Sequence, residues 1–403
     1  MRYDLVFEGG GAKGMVFVGA VQALEARGHT VGRLLGTSAG AMAACLLAAG
    51  YSSEEMLAAL GETSGGKSVF AGFLAPPQPF EDAALESSTL FSLMRKVDIP
   101  FVPDSMERRI GAQVVRWMAS HPTLRHLFSF LELGGWYSAD PFVVWLEQRL
   151  NSGEHFGARR HYGSLTLAEF FEATRIEAAF VASDTTGGSM MVLNHRTAPG
   201  VPVVWAVRMS MGIPMLWQEV LWRSEWGPYR GRDVTGHSVV DGGLLSNFPI
   251  ELLASRDPGV TEVMGPDPSL NLLGFLIDET LPVPAAPPAP AAPTRFGVTE
   301  IPAVVRLSNL INTMLEARDK RLIDALSPFV VRLPAGGYGT TEFELSAERR
   351  SVLIASGRRV TEAYLEARAA DASVSFGGDE EVETVSPRAR AAATRNASRI
   401  LGF

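Results

Sequence analysis

Cysteine is nearly absent. Cys45 is the only one in 403 residues, which excludes an intrachain disulfide framework and any cysteine-based zinc site and agrees with a reducing compartment. No cluster of metal-ligating side chains takes its place, so neither a metal nor a cofactor is expected. Long apolar runs are missing too. The most apolar stretch, 201–222, is interrupted by Arg208, Pro214 and Glu219, so it cannot supply the roughly 20 uninterrupted apolar residues of a bilayer span. The first residues, Met1-Arg2-Tyr3-Asp4, lead into an apolar run that stops at Glu8 and Gly9, too short for the core of a signal peptide and without a cleavage site. The expectation is a soluble cytoplasmic protein, with peripheral contact at membranes allowed and export by a non-Sec route left open. Positive charge is in deficit: 36 Lys and Arg against 44 Asp and Glu leave −8, which argues against a nucleic-acid partner. With 46% hydrophobic and 20% charged residues the chain is not disordered, and it contains no internal repeat.

What is present alternates between strand and helix. An apolar run from Tyr3 to Phe7 feeds a glycine turn, after which Met15, Val18, Val21 and Leu24 recur at helical spacing up to Gly28. A second strand, Arg33 to Leu35, meets another glycine turn and then 42–49, apolar all round as a buried helix would be, stopped by Gly50. Residues 64–105 are rich in Gly, Pro and Ser and read as a long insertion. Ser138 to Pro141 starts a helix, and Thr166 with Glu169 predicts a capping box. Strands are expected at 175–183, 190–193, 238–240 and 270–277, the last almost continuously apolar as in a sheet covered on both faces. This alternation predicts an α/β fold. The Pro/Ala-rich segment 281–294 reads as a stiff excursion, and the strand-like 329–333 and the helix 345–368 are too little for a second core, so they fold back onto the same domain. Residues 369–403, with an acidic cluster around Asp379 and a basic one from Arg388 to Arg399, read as a mobile tail that could touch a membrane.

Three glycine motifs carry the chemistry. Gly36-Thr37-Ser38-Ala39-Gly40 is a G-x-S-x-G between a strand and a buried helix, the context in which a strained turn lifts a serine hydroxyl clear of a sheet. Gly36 and Gly40 leave room for that turn, and the helix N-terminus favours a nucleophilic oxygen at Ser38. A helix-capping serine is the plain alternative. Gly9-Gly10-Gly11-Ala12-Lys13-Gly14 ends the first strand, and its successive amides can converge on one oxyanion. The same residues satisfy G-x-G-x-x-G, but the second strand ends in Gly36-Thr37-Ser38 instead of the acid a dinucleotide site expects, and Lys13 precedes Gly14 where a P-loop needs the reverse order. For a base, the chain offers Asp241, which ends the strand 238–240 and is followed by Gly242 and Gly243. A carboxylate there can take a serine proton if burial raises its pKa, although Asp-Gly-Gly is also a common turn. No histidine follows His237. A triad of Ser38 with Asp184 and either His237 or His195 remains open at this point.

In these motifs, in their order, the chain resembles the patatin-like phospholipases. The resemblance continues at 207–214, at Asp241-Gly242-Gly243-Leu244-Leu245-Ser246-Asn247-Phe248-Pro249 and at Gly339-Thr340-Thr341-Glu342-Phe343, and so spans about 1–368. It implies a three-layer α/β/α sandwich with a central, mostly parallel sheet. It also implies metal-free hydrolysis of fatty-acyl esters by a dyad of Ser38, the nucleophile, and Asp241, the base, with residues 9–14 forming the oxyanion hole. Phospholipid or lysophospholipid would be the substrate. Gly212 departs from the family, which often has a small hydroxyl residue there. Met209, Met211, Met215, Trp217, Trp222 and Trp226 suit an acyl-chain pocket or a lipid-facing lip as well as a core. A soluble-ester hydrolase and a catalytically silent binding module on the same fold are the rival readings.

Overall fold

The computed structural model describes residues 1–403 apart from 65–66, 95–103, 267–270, 289–325, 341, 371–390, 392, 398–400 and 402–403. Its main sheet contains β1 (Arg2–Phe7), β2 (Thr30–Thr37), β3 (Ala178–Asp184), β4 (Ser189–Leu193), β5 (Val220–Leu221), β6 (Ser238–Asp241), β7 (Leu272–Pro282) and β8 (Val330–Gly336). The hydrogen-bonded order is β5-β6-β3-β2-β1-β7-β8, with β4 also paired to β3. Every pairing from β3 through β8 along this path is parallel; β4, β5 and β6 are antiparallel additions. Helices α1 (Val16–Ala26), α2 (Ala39–Ala48), α3 (Asp140–Leu150), α4 (Leu167–Thr174) and α6 (Ala347–Ala370) follow the expected positions closely, and α5 (Val203–Ser210) forms within the apolar stretch 201–222, where no helix was expected. The capping box of Thr166 and Glu169 forms at the start of α4.

Alternation along the central strands divides the core in two. Leu5, Phe7, Leu34 and Phe180 belong to one apolar cluster, together with residues of α1, α2 and α6. Val6, Leu35, Ala179 and Val181 belong to another, with Phe248 to Ala254 and Val260 to Met264. Successive residues of a strand face opposite ways, so two clusters mean that both faces of the sheet are covered. The architecture is therefore a three-layer α/β/α sandwich around a mostly parallel sheet.

Between α2 and α3 the chain makes its own small cluster. Helices Asp82–Glu86, Thr89–Met94, Asp104–Ser120 and Pro122–Leu133 pack around Leu85, Val115, Ala119 and Phe128. The Pro/Ala-rich segment from 289 onward, and most of the charged tail, lie outside the described residues. The far end of that tail does not trail free as its polar composition suggested. Ala393, Ala397 and Leu401 are buried against the second core cluster, Asn396 Nδ2 donates to Glu251 Oε1 at 2.9 Å, and Ser255 and Thr394 hydroxyls sit 3.3 Å apart. Their i, i+4, i+8 spacing makes a single apolar stripe, which overall composition hides.

Candidate active site

Strand pairing brings the two halves of the site together. A strand has two edges, and β4 takes one edge of β3 over residues 180–184. β2, paired to 178–181, and β6, paired to 182–184, must share the other. They lie end to end, running in opposite directions. β2 stops with Thr37 opposite Val181, so the next residue, Ser38, falls at the rung of Ala182, and Ala182 is the partner of Asp241. Two residues about 200 positions apart in sequence meet where one ladder hands over to the other.

The turn at that junction is strained. Ser38 has φ 53 and ψ −121, a left-handed conformation for a residue with a Cβ, which costs on the order of 1–3 kcal/mol and persists only where the surroundings over-determine it. They do so here. A methyl group on Gly36 would collide with the Gly40 carbonyl, and one on Gly40 with the Phe7 carbonyl. Ser38 N–H, which would have continued the ladder to Val181, instead donates to Ser210 Oγ at 3.1 Å, and Ser210 Oγ donates onward to the Val181 carbonyl at 2.5 Å. The fully buried Ser210 thus splices the ladder where the chain leaves it. The sequence reading missed its role, although a lone hydroxyl in the apolar run 203–209 was the available signal.

Asp241 is 5% exposed. Its Oδ1 accepts from Gly243 N–H at 2.8 Å, its own N–H donates to the Gly212 carbonyl at 2.9 Å, and a methyl on Gly242 would strike the Val181 carbonyl. Burial raises the carboxyl to about 7, opposed by the hydroxyl of Ser38 and by the Gly243 amide. The serine is thus close enough to act on the carboxyl, while Oδ2 is buried and completes no aligned hydrogen bond among the described residues. This is a buried pair in reach of one another, and such bonds often tighten only when substrate binds.

The first glycine motif closes the third side. A Cβ on Gly9 would lie 3.1 Å from Ser38 Cβ, and one on Gly14 would lie 2.7 Å from Ala39 Cβ. The loop is clamped by residues whose roles the sequence did not reveal. Asn247 Nδ2 donates to Glu8 Oε1 at 3.1 Å and to the Gly9 carbonyl at 3.0 Å, Glu8 Oε2 accepts from Ile277 N–H at 2.6 Å, and the Thr340 carbonyl accepts from Ala12 N–H at 2.9 Å. Buried Lys13 pairs with Glu279. Of the six amides in 9–14, those of Gly9, Ala12 and Lys13 are already donated within the protein, whereas those of Gly10 and Gly11 meet no acceptor among the described residues.

The histidines stand elsewhere. His237 Nδ1 is 2.8 Å from Asp184 Oδ2, but Ser238 faces Thr185 in the ladder, so His237 lies at least four rungs, about 13 Å, from the level of Ser38. His195 follows β4 at its other end, stacked on Phe171 and beside Arg196 Nη1 at 2.6 Å; burial first, then Arg196, holds its pKa down to about 4. Trp217, Trp222, Trp226 and Met209 are buried in the first core cluster, and Met211 and Met215 are partly buried. No group of three or more His, Cys, Asp or Glu side chains among the described residues could hold a metal ion. No described helix is long and apolar enough to cross a membrane.

The family described as patatin-like phospholipase matches residues 5–254. An uncharacterized protein of Bacillus subtilis, YqhO, is 28% identical over 373 residues, covering 91% of this chain and 98% of its own. Among solved structures, VipD from Legionella pneumophila has a TM-score of 0.44 at 17% identity, over 99% of this chain and 74% of VipD. The type III effector ExoU has a TM-score of 0.39 at 18% identity, over 98% of this chain and 61% of ExoU.

Proposed function

The chain belongs to the patatin-like phospholipase family, and from that premise we propose that it is a lipid acyl hydrolase acting on phospholipid or lysophospholipid through a Ser38–Asp241 dyad. The observation that carries the proposal is the meeting of a strained serine and a buried carboxyl raised to about 7 at one ladder junction. In the reaction, Ser38 Oγ attacks the acyl carbonyl carbon and its proton passes to Asp241 Oδ2. The Gly10 and Gly11 amides receive the oxyanion, in a site where fixed donors need no reorganisation. Collapse expels the alcohol, which takes the proton from Asp241. Water then attacks the acyl-enzyme with Asp241 again as base, and collapse returns that proton to the leaving Ser38 Oγ as free fatty acid departs. The dyad accounts for proton transfer in both halves without a metal.

We take 1–368 as the catalytic unit, with 64–105 and 281–294 as additions to it, working from the aqueous side of the cytoplasm with transient contact at a membrane. The test is fatty-acid release from vesicles by the purified full chain. Ser38→Ala is expected to lower it by roughly 10⁴ or more, and a fluorophosphonate probe should label the parent protein and not this variant. Release unchanged by the substitution overturns the proposal.

A further inference from the structure

Buried guanidinium groups are ordinarily matched by a carboxylate at contact distance, because an unpaired buried charge is expensive. Arg160 and Arg349 obey, pairing with Glu55 at 2.8 Å and Glu342 at 2.9 Å. Arg208, on α5 and only 4% exposed, does not. Its Nη2 donates to the Gln218 carbonyl at 2.5 Å, while Nε and Nη1 have no acceptor and no carboxylate lies within ion-pair distance, among the described residues. Those nitrogens are not sealed in the core. Arg208 forms part of the wall of a cavity of about 560 Å³ beside the edge strand β5, a volume typical of small-molecule sites.

The other charges of that cavity are accounted for or stand apart. Arg223 lies over the Trp205 ring at 4.2 Å and 3.9 Å from Glu225, and Glu219 accepts the Ser238 hydroxyl. Asp140, exposed at the start of α3, acts on Arg208 through its charge without touching it. The cavity therefore offers one unfilled cation and acidic groups on its walls, the complement of a phosphate carrying an ammonium group. Neither Ser38 nor Asp241 lines it. The segment from Arg208 to Gly212 connects the two places: Ser210 holds Ser38, the Gly212 carbonyl holds Asp241, and Arg208 Nη1 packs over Gly212.

We propose that this cavity receives the zwitterionic headgroup of the lipid, its phosphate on the Arg208 guanidinium and its ammonium toward Asp140, so that ethanolamine- or choline-bearing lipids are chosen over anionic ones. This deepens the reading of the chain as a phospholipid hydrolase and rests on it. The headgroup anchor and the acyl chemistry then share one stretch of backbone.

Binding without turnover tests it. O-phosphoethanolamine, inorganic phosphate and ethanolamine are titrated separately into the full chain carrying Ser38→Ala, followed by the fluorescence of Trp205 and Trp222 in the cavity wall and by calorimetry. O-phosphoethanolamine is expected to bind at least tenfold more tightly than phosphate, Arg208→Gln to weaken it at least thirtyfold, and Asp140→Asn to erase the preference over phosphate. Equal binding of phosphate and O-phosphoethanolamine, or undiminished binding by Arg208→Gln, overturns the proposal. If Arg208→Gln does not fold, as judged by circular dichroism, the exposed Asp140→Asn decides alone, and an unchanged preference overturns it. Because no ester is cleaved in this assay, a failure here is distinct from a wild-type protein that hydrolyses no lipid.

Discussion

Two aspartates face the same short ladder, two rungs apart. Asp184, opposite Val239, is 4% exposed and holds His237 Nδ1 at 2.8 Å and Gly187 N–H at 2.8 Å. Asp241, opposite Ala182, is 5% exposed and has the Gly243 amide, with Ser38 in reach. By residue type alone the first is the more familiar piece of catalytic equipment, since it is the acid and histidine of a triad. Ser38 does not stand at its level. The second lacks a histidine but meets the serine where β2 ends, and its burial gives a carboxyl the pKa that an imidazole would otherwise supply. A His–Asp pair is thus no sign of catalysis until something to deprotonate stands beside it.

The comparison can be broken most sharply by exchanging which aspartate matters. Asp241→Asn is expected to lower fatty-acid release by roughly 10³ or more, while His237→Ala and His195→Ala stay within about threefold of the parent, since neither is the base of the proposed dyad. If a histidine variant dies and Asp241→Asn survives, the triad is the correct machine. The junction itself is the next target. Gly40→Ala drives a methyl into the Phe7 carbonyl, backbone against backbone, and should cost about 3 kcal/mol or more of stability in a denaturant melt. Ser210→Ala should act differently, because it orphans the Ser38 amide and the Val181 carbonyl without a clash. We expect kcat to fall about 10- to 100-fold with KM little changed, and stability to fall by about 1–3 kcal/mol.

A smaller effect distinguishes the aspartates by titration. Asp241 lies near 7 when folded and near the ordinary carboxylate value of about 3.9 when unfolded, so the folded protein holds the extra proton between those values. Its contribution to stability is full below about pH 4 and is lost as pH rises through about 7. Activity should run the other way, kcat/KM rising with an apparent pKa near 7 as the base is released. Asp241→Asn removes the ionisation and should exceed the parent in stability above pH 7 by roughly 2–4 kcal/mol, an inversion that a chemical-denaturation series across pH would read directly.

Much of this was legible from local pattern. The strand–glycine turn–helix units, the capping box at Thr166, the helix near 345–368 and the doubly covered strand near 270–277 all follow from periodicity and turn chemistry, which act over a few residues. So did the three glycine motifs, because backbones that approach within a carbonyl's width leave glycine as the only residue that fits. Ser210, Asn247, Glu8 and Thr340 were not legible as clamps. Each is an ordinary polar residue whose partner lies between 29 and more than 300 positions away, and nothing in its own neighbourhood names that partner. The packed end of the tail escaped notice because a stripe of three small or apolar side chains is faint against a polar background.

The sequence by itself determined the building units, the strained turn at Ser38 and the family, since these depend on neighbours along the chain. Only the tertiary structure decided that β2 and β6 share one edge of β3, that Asp241 and not Asp184 arrives beside Ser38, and that Arg208 is buried with no carboxylate at ion-pair distance among the described residues. Strand register and burial are relations among distant segments: sliding β6 by two residues would change no local preference, yet it would carry Asp241 two rungs away from Ser38.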